Sequence, residues 1–391
     1  MYEIRQVRMP DGEMLYLLAD NKTGLPDAHV IRYTFAAIRP TGASSSTLRS
    51  KLRGIRIGLI LLRDLNINIE HRISSGLFLG LEELNRLRER CLSRSKGNGR
   101  ISGQAASHYY STFLDYIAFR VEEVLQYAPE NTHKTIAEAL AAFEKRAQRL
   151  RPKGSDGVSL NERLGLGSQE RELLLRAIQP GDPGNPFQKA LQVRNHAIVL
   201  LSYALGLRAG EEFSLKRKDY DNRSNPATIT IHRRPDDRDE TRPDPALVKT
   251  FGRTLAIDED LRTVLDDWLG ERSDRGKYPN ARKNPYIFVS RSGAPLSLRR
   301  GRQIYEQLRA RHPELAGLMQ HVLRHDANDR WTEDDERTGV DPDISRRERT
   351  YAFGWSDNSD MPDVYGKASI RRSTMKRLER IQREVVDKID E

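Results

Sequence analysis

One cysteine in 391 residues leaves no partner for a disulfide within the chain and no thiolate set for a zinc site. That residue, Cys91 in LRERCLSR, sits in a charged helical pattern with no base beside it in sequence, which argues against a nucleophilic thiol. Long apolar runs are missing as well. Nothing approaches the roughly 18 uninterrupted apolar residues that a membrane-spanning helix takes, and the opening MYEIRQVRMPDGEM has no apolar core of a secretory signal. A cytoplasmic protein is expected, in reducing surroundings and with no membrane partner. Apolar residues make up 37% of the chain, low but adequate for folded units, and the length suits two or three domains. Positive charge is in excess: 66 Lys and Arg against 56 Asp and Glu give a net charge of +10. That balance favours a polyanionic partner, nucleic acid first, with a surface kept basic for solubility as the plainer alternative.

Along the chain, EIRQVRM and GEMLYLLAD are β-prone runs split by the turn signal PDG, so residues 1–41 read as a small hairpin extension. From SSSTLRSKLRGIRIGLILLRDL the apolar positions recur at three and four, and residues 42–150 read as an all-helical domain. Residues 151–169, RPKGSDGVSLNERLGLGSQ, lose periodicity to Pro, Gly, Ser and charge, as a linker does. A second domain, 170–370, then mixes helices with the β-prone runs ATITIHRR and RTLAI. Residues 371–391 carry an apolar stripe of Met375, Leu378, Ile381, Val385 and Ile389 on a terminal helix. The fold class is mainly α with a small β-sheet.

Three stretches hold residues that need a reason. In LLSYALGLRAGEE an apolar helix stops at Gly206 and Arg208 follows at once. Arg208 is either a structural arginine paired with Glu211 or Glu212, or an anion clamp, since a guanidinium fork matches two phosphate oxygens. In HVLRHD, His321 and Arg324 share one helical face. His321 and His325 have the spacing of a helical metal pair, but Val-Leu-Arg between them offers no glutamate base and a neighbouring arginine repels a cation. A plain helix face and an Arg–His site for a developing oxyanion remain. In GWSDNSDMPDVYG, Trp355 and Tyr365 flank a polar turn, and a tyrosine there is ordinarily half-buried packing.

Taken in order, ALGLRAGEE, HVLRHD and GWS…VYG resemble the tyrosine recombinases, the phage-integrase-like enzymes that break and rejoin DNA. The resemblance covers about residues 160–370 and is weaker over 42–150. It implies a helical DNA-binding domain before a mixed, mainly helical catalytic domain. Within the latter it implies Arg208 as the first arginine, His321 and Arg324 as the His-x-x-Arg pair, Trp355 at the His-or-Trp position and Tyr365 as nucleophile. VKTFGRTLAI resembles the hairpin bearing the family's lysine, which falls on Lys249, and Glu211 matches an acidic position supporting Arg208. Lys216 and Lys218 follow the Arg208 helix too closely to compete.

This constellation makes chemical sense, because a phenol of pKa near 10 needs cations beside it to attack a phosphodiester as its anion. The resemblance implies a 3′-phosphotyrosine intermediate that conserves bond energy, so neither a cofactor nor a metal is expected. It also implies double-stranded DNA as partner, a synaptic tetramer on two sites, accessory DNA-bending or directionality proteins, and a place on a prokaryotic nucleoid integrating or excising a mobile element. The alternatives are a DNA-binding protein of the same fold without the reaction, and a type IB topoisomerase-like enzyme. Two stretches depart from the pattern. WTEDDERTGVDPDISRRERTYAF, after Arg324, reads as a surface excursion, and HRRPDDRDETRPDPALVK lengthens the hairpin region before Lys249 with carboxylates expected to be solvated.

Overall fold

Apolar residues recur at helical spacing through most of the first 160 positions but alternate in the first twenty, and the computed structural model places helices and one hairpin accordingly. The structure describes all residues except 1, 11–12, 95–98, 155–164, 235–236, 358, 360–373, 376 and 384–391, and the side chain of Asn131. It divides into two compact units, Met1–Leu160 and Asn161–Glu391. Among the described residues no helix is long and apolar enough to cross a membrane.

In the first unit β1 (Tyr2–Arg8) pairs antiparallel with β2 (Met14–Asp20), Ile4 opposite Leu18. Six helices follow: α1 (Ala28–Tyr33), α2 (Ser45–Asp64), α3 (Ile69–Ser74), α4 (Leu81–Leu92), α5 (Gly103–Leu125) and α6 (Glu130–Leu150). Asp27, Ser44, Asn68 and Ser102 cap α1, α2, α3 and α5 by accepting first-turn amide protons. The hairpin is not an appendage. Leu15, Tyr16 and Leu18 share one core with Leu52 and Ile55 of α2 and Tyr110 and Phe113 of α5, because β2 turns most of its side chains inward. Cys91 is sealed in this core, and burial pushes its thiol up to about 12.

The second unit runs α7 (Ser168–Ala177), α8 (Gln192–Leu205), α9 (Ala209–Ser214), β3 (Tyr220–Asp221), β4 (Ala227–Ile231), β5 (Arg253–Ile257), α10 (Glu259–Arg272), α11 (Leu298–Arg311), α12 (Gln320–Thr338) and α13 (Pro342–Phe353). The strands form one antiparallel sheet in the order β3-β4-β5. Helix α8 is apolar around most of its circumference and is accordingly buried, with α10 and α12 packed on it. The architecture is mainly helical with small antiparallel sheets.

Two sequence expectations change here. The stretch after Arg324 is not a loop: α12 continues to Thr338, Gly339 ends it in the left-handed region, and α13 follows. Asp326, on its inner face, accepts from Leu166 N at 3.0 Å and Arg171 Nε at 2.8 Å, and pairs with Arg330 one turn on. Glu333 takes the other end of Arg171 at 2.8 and 3.0 Å. The proposed linker is correspondingly shorter at its C-terminal end, since Gly165 N is already bonded to Asp329 at 3.1 Å. Of the C-terminal stripe, Met375, Leu378 and Ile381 are exposed, while Val385 and Ile389 lie outside the described residues.

Asp326→Ala strands the Leu166 amide and leaves Arg171 half-paired in a buried place, so the second unit is expected to lose about 3 kcal/mol. The chain's three tryptophans, Trp268, Trp331 and Trp355, all lie in that unit, so urea unfolding followed by their fluorescence checks it.

Candidate active site

The apolar helix α8 stops because Gly206 takes a left-handed conformation, φ 60°. Two residues later Arg208 is the extended N-cap residue of α9, with Glu211 at the third position of the new helix reaching back to accept the Arg208 amide at 2.9 Å. This local turn brings a buried carboxylate beneath the arginine. Three guanidiniums converge on it. Arg253, at the start of β5, meets it in a fork, Nη1 to Oε1 and Nη2 to Oε2, each at 3.2 Å. Arg208 Nη1 stands 3.7 Å from Oε1 and Arg324 Nη1 3.7 Å from Oε2, and the Thr250 hydroxyl donates to Oε1. Burial works against charge on Glu211, but Arg253 first, then Arg324 and Thr250, outweigh it and hold the carboxyl below its ordinary range.

Arg324 is fully buried. Its Nη1 donates to Gly206 O at 2.8 Å and its Nη2 to Phe353 O at 2.6 Å, so one cation closes the C-terminal ends of α8 and α13. The rings of Phe353 and Trp355 stack at 5.0 Å and 14°, and Arg324 lies over both, 4.9 and 5.8 Å from their centroids. Gly206 and Gly354, φ 62°, make this closure sterically possible. A Cβ on Gly206 would lie 2.9 Å from both Ala327 Cβ and Phe353 Cε1, and one on Gly354 2.6 Å from Arg253 Nη1.

Arg208 differs from these two arginines. Its side chain keeps 30% exposure, and its Nη1 makes no hydrogen bond among the described residues. Of the two readings, the pairing with Glu211 is seen, loosely, at 3.7 Å; the Nη1 that makes it is buried, and the exposed part of the side chain lies elsewhere on the residue. His321, in the first turn of α12, is exposed where Arg324 is buried, its ring perpendicular to His325 at 4.7 Å. Lys249 is exposed in the connection between β4 and β5, between buried Val248 and buried Thr250. Tyr365 lies outside the described residues. The structure thus joins Arg208, Glu211, Arg324 and Trp355 directly, and Lys249 through Thr250. Tyr351, beside this cluster, has its hydroxyl occupied, donating to Thr254 O at 3.1 Å.

Arg253 and Thr250 were not foreseen from the sequence. GRTLAI reads only as a strand, and nothing local marks its arginine; the register that sets Arg253 opposite Ile231, with Glu211 facing it, is long-range. Lys216 is removed from consideration by burial against Asp237 and Asp239, at 2.6 and 2.7 Å.

Residues 166–335 match the phage integrase family. That span holds Arg208, Lys249, His321 and Arg324 and ends before Trp355 and Tyr365. No curated protein matches the chain. Similar solved structures include the XerH site-specific recombinase bound to palindromic difH substrate, 15% identical, covering 84% of this chain and 95% of that one with a TM-score of 0.42. The Tn1549 transposon integrase with transposon right-end DNA is 16% identical, covering 83% and 99%, TM-score 0.40. XerA recombinase is 15% identical, covering 89% and 98%, TM-score 0.38.

One buried acid remains beside the site. Glu212 accepts from Ser202 Oγ at 2.8 Å and from the Gln320 amide, and its Oε1 has no hydrogen-bond partner among the described residues. Burial pushes its carboxyl up to about 8, against the pull of those two donors. Unfolded, it titrates near 4.5. The folded state therefore holds a proton the unfolded state has already released, and stability is full below about pH 4.5 and drains as pH rises through about 8. Glu212→Gln has no proton to lose. Relative to that variant, the parent is expected to lose on the order of 3 kcal/mol between pH 5 and 8.5, read from urea unfolding at both values.

Proposed function

We propose that this chain, a member of the phage integrase family through residues 166–335, is a site-specific tyrosine recombinase that cleaves and rejoins duplex DNA through a 3′-phosphotyrosine intermediate. The observation that carries the reading is the coincidence of that family match with Glu211, one buried carboxylate gathering Arg208, Arg253 and Arg324 at a single point. Three cations against one anion leave a positive site with a partly exposed arginine at its edge, suited to a phosphodiester.

In the proposed reaction the scissile phosphate sits on the partly exposed guanidinium of Arg208, which donates to a non-bridging oxygen. Arg324 contributes charge from beneath and holds the helix ends that frame the site, with Trp355 and Phe353 packed over its guanidinium. His321 hydrogen-bonds the other non-bridging oxygen or relays a proton. The Tyr365 phenolate, favoured by the surrounding cations, attacks phosphorus; the bond to the 5′ oxygen breaks as Lys249 delivers a proton to it. Rejoining reverses the step, a 5′ hydroxyl displacing the tyrosine and returning its proton to Lys249. No energy source is consumed.

The first unit would grip DNA by phosphate contacts. A cavity of about 400 Å³ in it is lined by Arg88, Arg100, Arg149, Arg151 and Lys153. The remaining proposals follow the family: four protomers on two sites, accessory DNA-bending or directionality proteins, a mobile element as the substrate's source, and action at the nucleoid of a prokaryotic cytoplasm. XerH and the Tn1549 integrase were each captured on DNA.

The test is to trap detergent-stable protein–DNA adducts from cells making the protein and sequence the attached DNA. One or a few sites are expected; adducts spread over all sequences would favour a topoisomerase, and none at all a DNA-binding protein without the reaction. Tyr365→Phe should bind a duplex carrying the recovered site with little loss and yield no adduct. Persistent adduct in that variant would move the nucleophile elsewhere. Lys249→Ala should cleave that duplex about 10²-fold more slowly, yet cleave one with sulfur at the bridging 5′ position at nearly the parent rate, since a thiolate leaves without a proton. Arg208→Ala should be equally impaired on both.

A further inference from the structure

Antiparallel neighbours such as β4 and β5 need only a few residues to connect them. Here the connection is residues 232–252, and several of its charges are paired with groups elsewhere in the unit, although Arg233, Arg238, Asp239 and Asp244 stay exposed. Arg234 forks onto Asp219 at 2.9 and 2.5 Å. Asp237 accepts from Lys216 Nζ at 2.6 Å and from the Tyr286 hydroxyl at 2.8 Å, and Asp239 takes the same ammonium at 2.7 Å. Arg242, buried with Glu240 as its counter-ion, donates to Phe213 O and Leu296 O, both at 2.9 Å, and lies over the Tyr286 ring. These are expensive contacts for a connecting loop, since each desolvates charge that water would hold at no cost.

The residues just past these anchors explain why the anchors are there. Ala246 and Val248 are buried, the Leu247 carbonyl lies so close to Gly210 that a Cβ there would be 2.1 Å from it, and Thr250 bonds Glu211. Gly210 stands between Arg208 and Glu211 in sequence. Lys249 is the exposed residue in this pinned run, so its backbone is registered against the arginine turn itself.

We propose that residues 237–248 form a strap, and that Arg242 and Lys216 are positioning residues that fix Lys249 relative to Arg208. The proposal rests on Lys249 as the proton donor to the 5′ oxygen. A hairpin tip free to swing would spend part of its time with the ammonium out of reach, and a displacement of about 1 Å is enough to cost a large rate factor. The strap removes that freedom before DNA binds.

Single-turnover cleavage separates this from general support of the fold. Arg242→Ala strands Glu240, so the neutral double change Glu240→Gln/Arg242→Met is used, with Lys216→Met as an independent cut of the strap. Both should slow cleavage of the ordinary duplex by about 10-fold or more and cleave the 5′-sulfur duplex within about twofold of the parent, because only proton delivery is disturbed. An equal loss on both substrates would show that the strap supports the whole site, and unchanged rates on both would show that Lys249 needs no strap; either overturns the proposal. Lys249→Ala runs alongside. If sulfur rescues Lys249→Ala but not the strap variants, the strap alone is wrong. If sulfur fails to rescue Lys249→Ala, the proton-donor assignment falls and takes the strap's role with it.

Discussion

Taking the Glu211 carboxylate out of water costs several kcal/mol, a cost met only when cations and hydrogen bonds replace the lost hydration. Arg253 supplies a fork, Thr250 a hydroxyl, Arg208 its amide, and Arg324 a second cation at 3.7 Å. Each of these groups comes from a different part of the second unit: the turn between α8 and α9, the end of the β4–β5 connection, the first residue of β5, and α12. The carboxylate is therefore where the sheet and the helices are tied. Its charge also lets three arginines stand close together without mutual repulsion driving them apart.

Arg324 shows how a binding-type residue can be absorbed into the frame. Its two terminal nitrogens are bonded to the carbonyls that end α8 and α13, so the negative ends of two helices and Glu211 hold it from several sides. Arg208 has one distant carboxylate, at 3.7 Å, and a side chain left 30% exposed. The two arginines therefore differ in kind: Arg324 is locked into the frame, and Arg208 stays partly exposed at its edge. Two left-handed glycines are a steric condition for it, because a side chain at Gly206 would press on Ala327 and Phe353 and one at Gly354 on Arg253 and Thr250.

Charge density elsewhere in this unit obeys the same rule. Acids of this unit are paired with arginines and a lysine from other segments: Asp326 and Glu333 with Arg171, Asp237 and Asp239 with Lys216, Asp219 with Arg234. Asp326 and Asp219 are fully buried by this pairing, while Glu333 and Asp239 keep about half their surface.

From sequence alone the basic balance, the mainly helical class and the three motifs at Arg208, His321–Arg324 and Trp355 were legible, since composition, helical period and residue spacing are local properties. So was the Glu211 support of Arg208, three residues away on one helical turn. The hidden part was long-range. Arg253 joins Glu211 only because strand register carries it there, Arg324 is buried only because two helix ends meet over it, and the stretch after Arg324 is helical because Arg171 pairs with acids more than 150 positions later. A charged side chain reads the same whether it faces water or a buried partner. The chain's order determined which charged residues were available; desolvation and pairing in the folded state decided which of them are buried in the frame and which face outward.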